Sequence, residues 1–417
     1  MLNSEINSIL KFPLKDFQEK DLQYAIDHHY FILAYDMGLG KSVTSLAMSI
    51  ACNAKQVIII CPTYLKNNWK HEIKKFLPEF YQQRFTIVSY HEAGKLSDIL
   101  EYDMCIVDEA HFTQNMDTQR STAVHRLIFE SMIERVILLT GTPIRNRVKE
   151  FYSPIRICCY NEKGTSGLGI LKKFPDAEGF ADYFSNREER YIKVKYRGRI
   201  ISRKLVTHSG IKEVDKLKRI LEGKYLRRLA KDHLKVKAKV HNYIVVGIKE
   251  DPLLLEQYET LGDTCNSSHK KKNALFKVPS TVAHAKELVE LVGNVIIYSH
   301  HTEAIRAIAE KLNVPYIDGT VSVKRREEIK QMFLSGELKE LCATIDSFST
   351  GNTFVNCSNM IFNDLSWVPG DNEQSEGRIF RIGQEGIPTY HIMCGSPQDE
   401  IISRKLADKK EVIRQAT

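Results

Sequence analysis

The residues 36–42, Asp-Met-Gly-Leu-Gly-Lys-Ser, are the part of this chain whose types and spacing point most directly to chemistry. They follow a strand-like stretch at 30–35 and open a helical-looking stretch at 43–52. In that position the backbone around Met37, Gly38, Leu39 and Gly40 can bind phosphates, Lys41 can contact the outer phosphates, and Ser42 can ligate Mg²⁺. Tyr35 stands where the strict phosphate-loop pattern has its first glycine, so a glycine-rich turn without a ligand is the alternative.

A pair of carboxylates, Asp108 and Glu109, comes directly after the apolar run 104–107. If that run is a strand, both side chains emerge at its carboxyl end, where α/β folds place ligands. Asp108 can then hold Mg²⁺ through water, and Glu109 can orient or deprotonate an attacking water. The alternative is an ordinary surface strand end. Behind a phosphate loop, the pair predicts a site that hydrolyses ATP.

Two arginines three residues apart, Arg378 and Arg381, lie more than two hundred residues later in the run 374–384. On a helix this spacing would place both guanidinium groups on one face. We predict that they act as arginine fingers for transition-state charge, with Gln374 in the same catalytic group and the site in a cleft between two domains. An ion-paired helix face is the alternative.

The elements that must position these residues follow from short apolar runs that end at polar, Gly or Pro residues. Such runs are typical of strands buried on both faces, and the helical patterns between them favour parallel sheets covered by helices. The fold class is therefore α/β, with two parallel-sheet domains and a helical, basic insertion between them. We place the domains at 1–155 and 237–417, the insertion at 156–236, and a small helical or loop insertion near 251–292. The predicted strands are 57–61, 104–107, 136–139, 295–298, 360–362 and 389–393, and the predicted helices include 66–76, 121–133 and 303–312.

Charge is distributed unevenly along the 417 residues. The net charge is +8, yet residues 187–239 alone hold 19 Lys and Arg against 6 Asp and Glu. This stretch is a candidate polyanion contact, with a solvated helix face as the alternative. No apolar run approaches the roughly 20 residues that span a bilayer, and the first residues lack a signal-peptide pattern. We expect no membrane partner, and nine scattered cysteines that remain reduced thiols.

Further motifs make the chain resemble superfamily 2 helicases of the Swi/Snf translocase type over nearly its whole length. Beyond the segments above, the resemblance rests on Phe17-Gln18, on Pro62 with Trp69, on Thr140-Gly141-Thr142-Pro143, on Asp318-Gly319-Thr320, and on Trp367-Val368-Pro369-Gly370. It implies RecA-like domains and an adenine-reading Gln18. It also implies nucleic-acid contacts, which we assign to Pro62, Thr63, Ser89, Tyr90, Arg227, Arg228, Ser349, Thr350 and Trp367.

Within that family the chain looks most like the annealing-helicase branch, which remodels forks and other DNA junctions. The paired histidines His300-His301 and the linker-like Leu226-Arg227-Arg228 carry this likeness. Gly377 departs from the family pattern, which has aspartate before the first arginine finger.

The resemblance implies a DNA-dependent ATPase that uses ATP and Mg²⁺ to translocate on double-stranded DNA. Its expected output is remodelling of branched DNA by fork reversal, branch migration or strand annealing, in repair, recombination or replication. Two alternatives stay open: a strand-separating DNA or RNA helicase, and an ATP-gated clamp that binds branched DNA without translocating. Expected partners are double-stranded or branched DNA, with replication or recombination proteins as candidates. We expect a monomer in the cytoplasm of a bacterium or phage-infected host, or in the nucleus of a eukaryote.

Overall fold

The chain was studied as a computed structural model that describes residues 3–96, 102–159, 173–196, 199–233, 238–246, 267–348, 353–381 and 383–416. Its internal contacts define two compact units. The first comprises Met1–His233 with Lys409–Thr417, and the second comprises Leu234–Asp408. Most of the stretch 156–236, which the sequence analysis set apart as an insertion, is thus grouped with the first unit.

The first unit is built on a six-stranded sheet in which every neighbouring pair of strands is parallel. The strand order is β3-β2-β4-β5-β1-β8. All residues of β1, β2 and β4 are buried, which confirms the prediction of strands covered on both faces. The bounds are Tyr30–Tyr35 (β1), Val57–Cys61 (β2), Phe85–Ser89 (β3), Met104–Val107 (β4), Arg135–Leu139 (β5) and Tyr225–Arg228 (β8).

Helices cover this sheet, and the amphipathic pattern explains their placement. The helix Lys66–Phe76 has the predicted bounds and buries Trp69 and Ile73, which are four residues apart and therefore lie on one face. The others are Asn3–Ile9, Asp16–Asp27, Lys41–Ala51, Glu79–Gln82, Tyr90–Ala93, Gln119–Glu130, Tyr152–Cys158, Ala177–Phe184, Val214–Leu221 and Ala230–His233.

A two-stranded antiparallel ribbon lies within the stretch where the sequence analysis expected a helical insertion. Its strands are Asn186–Tyr196 (β6) and Arg199–Ser209 (β7), paired from Asn186 with Ser209 to Tyr196 with Arg199. Helices flank it, so the expectation of helices is incomplete. The physical reason is that Tyr, Ile and Val alternate with Lys and Arg here, a pattern that favours extended backbone.

The second unit has a second six-stranded parallel sheet, in the order β11-β12-β10-β13-β14-β9. The predicted strands 295–298, 360–362 and 389–393 are confirmed, each with one more residue. The strand bounds are Val240–Val245 (β9), Val295–Ser299 (β10), Tyr316–Ile317 (β11), Glu340–Thr344 (β12), Asn359–Phe362 (β13) and Thr389–Cys394 (β14). Among the described residues its helices are Ser267–Phe276, Val278–Val292, Thr302–Leu312, Val323–Leu334, Ile345–Phe348 and Pro369–Glu376, and it holds the first part of Pro397–Ala416, whose residues from Lys409 are grouped with the first unit.

The predicted insertion near 251–292 is described only in part. Its later half forms the helices Ser267–Phe276 and Val278–Val292, whereas 251–266 lies outside the described residues. Across the described ranges, no helix is both long and apolar enough to traverse a bilayer.

Candidate functional site

The loop between β1 and the helix Lys41–Ala51 has the backbone of a phosphate-binding turn. Gly38 and Gly40 both have φ of +81°, in the left-handed region that favours glycine. A Cβ at residue 40 would lie 2.7 Å from Nε2 of Gln18, so the Gln18 side chain would have to move. The two glycines therefore let the backbone approach a ligand closely at the start of a helix, where anions bind.

Gln18, on the helix Asp16–Asp27, holds this loop from the side. Its buried Nε2 donates to the carbonyl oxygen of Leu39 at 3.0 Å and to Oγ1 of Thr44 at 2.9 Å. Its Oε1 accepts from the backbone N–H of Lys15 at 2.9 Å. The structure places Gln18 beside the loop as expected, and its adenine-reading role stays a prediction.

Lys41 and Ser42 are the first two residues of the helix that follows the loop, and both are partly exposed. The Nζ of Lys41 donates to the carbonyl oxygen of Tyr35 at 2.9 Å. A Cβ at Gly141 would lie 3.4 Å from the same Nζ, so the Thr140–Pro143 segment reaches the loop. The loop 36–42 and the Thr140–Pro143 segment, a hundred residues apart in sequence, therefore both lie beside the Lys41 ammonium group.

Asp108 lies at the carboxyl end of β4. It is partly exposed, and both of its carboxylate oxygens accept hydrogen bonds. Its Oδ2 accepts from Nε1 of Trp69 at 2.8 Å, and its Oδ1 accepts from the N–H of Glu109 at 2.9 Å. Burial first, and then the charge of Glu109, raise the pKa of Asp108 to about 7, whereas the Trp69 bond and the charge of Lys41 act in the opposite direction. The pKa of Asp108 therefore lies close to neutral pH.

Glu109 has a left-handed backbone, with φ of 50° and ψ of 52°. For a residue with a Cβ this conformation costs about 1–2 kcal/mol. It brings Oε2 of Glu109 to 3.2 Å from Nδ1 of the buried His111. Strain of this kind tends to be kept where geometry matters for function, and it occurs here beside Asp108.

The side chains at this edge of the sheet suit a magnesium ion. Mg²⁺ prefers oxygen ligands, and the Asp108 carboxylate with the Ser42 hydroxyl would supply them. The raised pKa of Asp108 reflects a partly desolvated carboxylate beside another carboxylate, and a divalent cation would relieve both effects.

Tyr90 and Trp69 shape the site in ways that the sequence analysis missed. The buried hydroxyl of Tyr90 donates to the carbonyl oxygen of Asp108 at 2.8 Å, and it lies 3.3 Å from that of Glu109. The predicted contact of Tyr90 with nucleic acid stays a prediction, and in the structure its hydroxyl fixes the backbone of the two carboxylates. Trp69, which the sequence analysis grouped with Pro62, is fully buried and donates to Asp108.

The other predicted nucleic-acid contacts of the first unit differ in exposure. Thr63 is exposed at the start of the 3-10 turn Thr63–Leu65, whereas Pro62 and Ser89 are buried. The Oγ of Ser89 accepts from the N–H of Glu92 at 3.2 Å and so caps the short helix Tyr90–Ala93. Only Thr63 among these three presents an exposed side chain.

Arg227 and Arg228, on β8, form ion pairs within the first unit. An Nη of Arg227 donates to Oδ1 of Asp36 at 2.7 Å, and its other Nη lies 3.4 Å from the carbonyl oxygen of Gly141. Arg228 pairs with the buried Asp21, on the helix that carries Gln18. Their predicted contact with nucleic acid stays a prediction, and in the structure they form ion pairs with Asp36 of the loop and with Asp21 of the helix Asp16–Asp27.

In the second unit, Arg378 and Arg381 follow the helix Pro369–Glu376 instead of lying on it, so the prediction that they share a helix face is wrong. The backbone turns away because the carbonyl oxygen of Arg378 accepts from the N–H of Phe354 at 3.0 Å. Nε of Arg378 donates to the carbonyl oxygen of Gln374 at 3.0 Å, and both residues are buried. Nε of Arg381 donates to the carbonyl oxygen of Gly377 at 2.9 Å.

Glu376, the last residue of that helix, fixes the start of the arginine turn. It is buried, and its carboxylate accepts from Nζ of Lys239 at 3.0 Å and lies 3.2 Å from Nε2 of His241. Its carbonyl oxygen accepts from the hydroxyl of Tyr390 at 2.9 Å. None of these partners was identified from the sequence.

Trp367 is half-buried, with Nζ of Lys270 at 3.6 Å from the centre of a ring and that of Lys405 at 5.7 Å. A cation over an indole is a favourable contact, so the ring is occupied by protein cations. Ser349 and Thr350, the remaining predicted contacts, lie outside the described residues.

Comparison with known families and proteins agrees with these motifs. The SNF2-related domain matches residues 17–100 and 80–260, and the helicase conserved C-terminal domain matches 280–383. The SWI/SNF-related matrix-associated actin-dependent regulator of chromatin subfamily A-like protein 1 of Xenopus tropicalis is 24% identical over 99% of this chain and 46% of its own length. The DNA annealing helicase and endonuclease ZRANB3 of Homo sapiens is 24% identical over 97% of this chain and 40% of its own length.

The chain spans about half the length, or less, of these curated relatives. A solved structure, the Sulfolobus solfataricus SWI2/SNF2 ATPase core in complex with dsDNA, covers 97% of this chain and 92% of its own, at 20% identity and a TM-score of 0.42. Since the SNF2-related match extends over more than half of the chain and contains both the phosphate loop and the paired carboxylates, this protein belongs to the SNF2-related family.

Proposed function

We propose that the protein is a DNA-dependent ATPase that translocates on double-stranded DNA and remodels branched DNA by fork reversal, branch migration or strand annealing. The observation that carries the proposal is the convergence of Lys41, Gly141 and the Asp108–Glu109 pair at one edge of the first sheet. Family membership and the similarity to a DNA annealing helicase support the choice of DNA remodelling.

In this proposal the loop around Met37 and Leu39 binds the nucleotide phosphates through its backbone, and Lys41 contacts the outer phosphates. Gln18 contacts the adenine after exchanging one of its present hydrogen bonds, to Leu39 or Thr44. Glu109 orients the attacking water and accepts its proton. Phosphoryl transfer depends mainly on such positioning and on neutralisation of charge.

Ser42 and Asp108 would hold Mg²⁺, which when bound neutralises charge on the phosphate oxygens. For that task Asp108 must be ionised. The hydrogen bond from Trp69 favours the ionised form, and so does the charge of Lys41.

Arg378 and Arg381 are proposed as arginine fingers, with Gln374 accepting from Arg378 to fix its direction. Rigid support of this kind matters because a guanidinium group stabilises the transition state only when it is aimed at the developing charge. The buried Glu376, whose carboxylate accepts from Lys239 and lies beside His241, supplies that support where the chain leaves the helix Pro369–Glu376.

For the DNA contacts, exposure favours Thr63, whereas Arg227, Arg228 and Tyr90 are better explained as parts of the nucleotide site. Ser349, Thr350 and Trp367 are also proposed as DNA contacts. Backbone contacts would make binding depend strongly on salt and weakly on sequence.

The test is the steady-state ATPase rate at fixed low salt without nucleic acid and with single-stranded DNA, linear duplex, a four-way junction or structured RNA. We expect stimulation by duplex and more by the junction. Stimulation by single strands or RNA alone would instead favour a strand-separating helicase, and no turnover with any of them would favour an ATP-gated clamp. Lys41→Ala should abolish hydrolysis, and a variant with full turnover would contradict the site assignment.

A further inference from the structure

The ribbon β6–β7 is long, and the described residues at the start of its first strand are exposed. Each strand has 11 residues, which at about 3.4 Å per residue gives a length of about 35 Å. All six residues from Asn186 to Tyr191 are exposed, and Tyr191 is 72% exposed. On the opposite strand Ser202 and Lys204 are exposed as well. A two-stranded hairpin alone is marginally stable in water, so the ribbon's extension calls for a partner.

The base of the ribbon is fixed to the body of the first unit. Asp182, on the helix Ala177–Phe184, accepts from an Nη of Arg187 on one strand at 2.8 Å. The same carboxylate lies 2.7 Å from Nε2 of His208 on the other strand, and His208 is buried. Phe180 and Phe184 anchor that helix in the core. The ribbon thus leaves the body in a defined direction.

The amino-acid composition of the ribbon indicates that its partner is negatively charged. Residues 186–209 contain eight Lys and Arg and two Asp and Glu. The two acidic residues, Glu188 and Glu189, are near the base, and Glu189 pairs with both Arg187 and Lys204. Residues 190–205 therefore carry seven basic side chains and no acidic one. Such a segment attracts a polyanion.

The dimensions fit duplex DNA. The major groove is about 12 Å wide and admits a two-stranded ribbon. A second copy of this chain or an acidic protein could supply negative charge, but the density of one phosphate charge per about 1.7 Å of duplex axis suits a basic ribbon over its whole length.

We propose that the ribbon β6–β7 is a duplex-binding arm whose basic residues contact the phosphates of double-stranded DNA. This inference rests on the proposed function, to which it adds the element that grips the duplex. Because the contacts are to phosphates, the arm adds affinity without reading sequence.

The experiment compares duplex binding by the wild type with that of a variant in which Arg190–Leu205 is replaced by Asn-Gly, a two-residue turn that suits a hairpin. Arg187, His208 and Asp182 stay in place at the base. Affinity for a 30-base-pair duplex is measured by fluorescence anisotropy at several salt concentrations. If about three phosphate contacts are lost, the slope of log K against log salt should become shallower by about 3. Affinity near physiological salt should fall by at least about tenfold.

A second variant, Arg190→Gln with Lys204→Gln, keeps the full ribbon and should make the slope shallower by about 1 to 2. Lys286→Gln with Lys311→Gln is the matched control, since both lysines are exposed on helices of the second unit and the net charge changes equally. That control should leave the slope unchanged. At saturating duplex, both ribbon variants should keep the wild-type ATPase rate, because the nucleotide site is untouched.

An unchanged slope in both ribbon variants would overturn the inference, and so would an equal effect from the control pair. A loss confined to single-stranded DNA would overturn the assignment to duplex. These results differ from failure of the proposed function, which would appear in the wild type as an ATPase rate that duplex does not stimulate.

Discussion

Replacing Trp69 with Phe tests whether a buried indole tunes the pKa of Asp108, the carboxylate proposed to hold Mg²⁺. The change keeps most of a fully buried ring but removes the Nε1–H that donates to Oδ2 of Asp108 at 2.8 Å. That donor favours the ionised carboxylate, so its loss raises the pKa of Asp108 further above its present value of about 7. Less of the enzyme then has the charge that the proposed metal site requires.

The size of the effect follows from the kind of bond. A hydrogen bond to a charged group contributes about 1.5–3 kcal/mol, and a shift of one pKa unit corresponds to about 1.4 kcal/mol. Since Asp108 is partly exposed, water replaces some of the lost bond, and the lower value is the better guide. We expect kcat/KM for ATP at pH 7 to fall by about tenfold.

The assay is the pH profile of kcat/KM for ATP with saturating duplex, since this parameter reports the ionisations of the free enzyme. Activity rises as Asp108 loses its proton, so the acid limb of the Trp69→Phe profile should lie about one unit higher than that of the wild type. At pH values above the acid limb, kcat/KM of Trp69→Phe should recover much of the loss.

Tyr90→Phe is the matched control, because the Tyr90 hydroxyl donates to backbone carbonyls and not to the Asp108 carboxylate. It should lower the rate at all pH values without moving the acid limb. The reasoning is refuted if Trp69→Phe lowers activity equally across the profile, or if Tyr90→Phe moves the limb as far.

Three further changes test other parts of the site. Arg381→Ala should retain ATP binding by fluorescence titration but lose at least about a hundredfold in kcat, as expected for an arginine finger; normal turnover would remove it from that role. Gly40→Ala forces a Cβ against Gln18 in a left-handed backbone, so thermal unfolding should show a loss of about 1–3 kcal/mol and KM for ATP should rise. Arg227→Met leaves Asp36 without its ion-pair partner and should weaken ATP binding in the absence of DNA, with no change in the salt slope of duplex binding; a shallower slope would restore Arg227 as a DNA contact.

The strands and helices that position the site could be predicted because their patterns are local. The run 104–107 is apolar throughout and becomes β4, and the helix Lys66–Phe76 has the bounds expected from its periodicity. The loop 36–42 could be placed between strand and helix because glycine spacing and the switch in periodicity coincide there.

Contacts between distant residues could not be predicted in the same way. Trp69 and Asp108 are 39 residues apart, and Arg227 and Asp36 are 191 apart, so nothing local reveals either pair. An arginine pair in a basic stretch favours a nucleic-acid contact until the buried carboxylate that pairs with it is known. Only the folded structure shows which arginines are already paired with carboxylates.

The ribbon was missed for a different reason. Residues 190–205 combine alternating Tyr, Ile and Val with an Arg-Gly pair, and both features favour a hairpin. A helical insertion was predicted for this stretch, although its period-two alternation favours strands.

The position of β8 has a consequence for how the nascent protein folds. This strand pairs with β1, yet 189 residues separate Tyr35 from Tyr225, and β5 on the other side of β1 is complete at Leu139. At synthesis rates of about 5–20 residues per second, β1 waits roughly 4–20 s after β5 for its second neighbour. During that interval its hydrogen-bonding edge is open to incorrect pairing, so premature release of the chain before Arg228 should yield an aggregation-prone fragment.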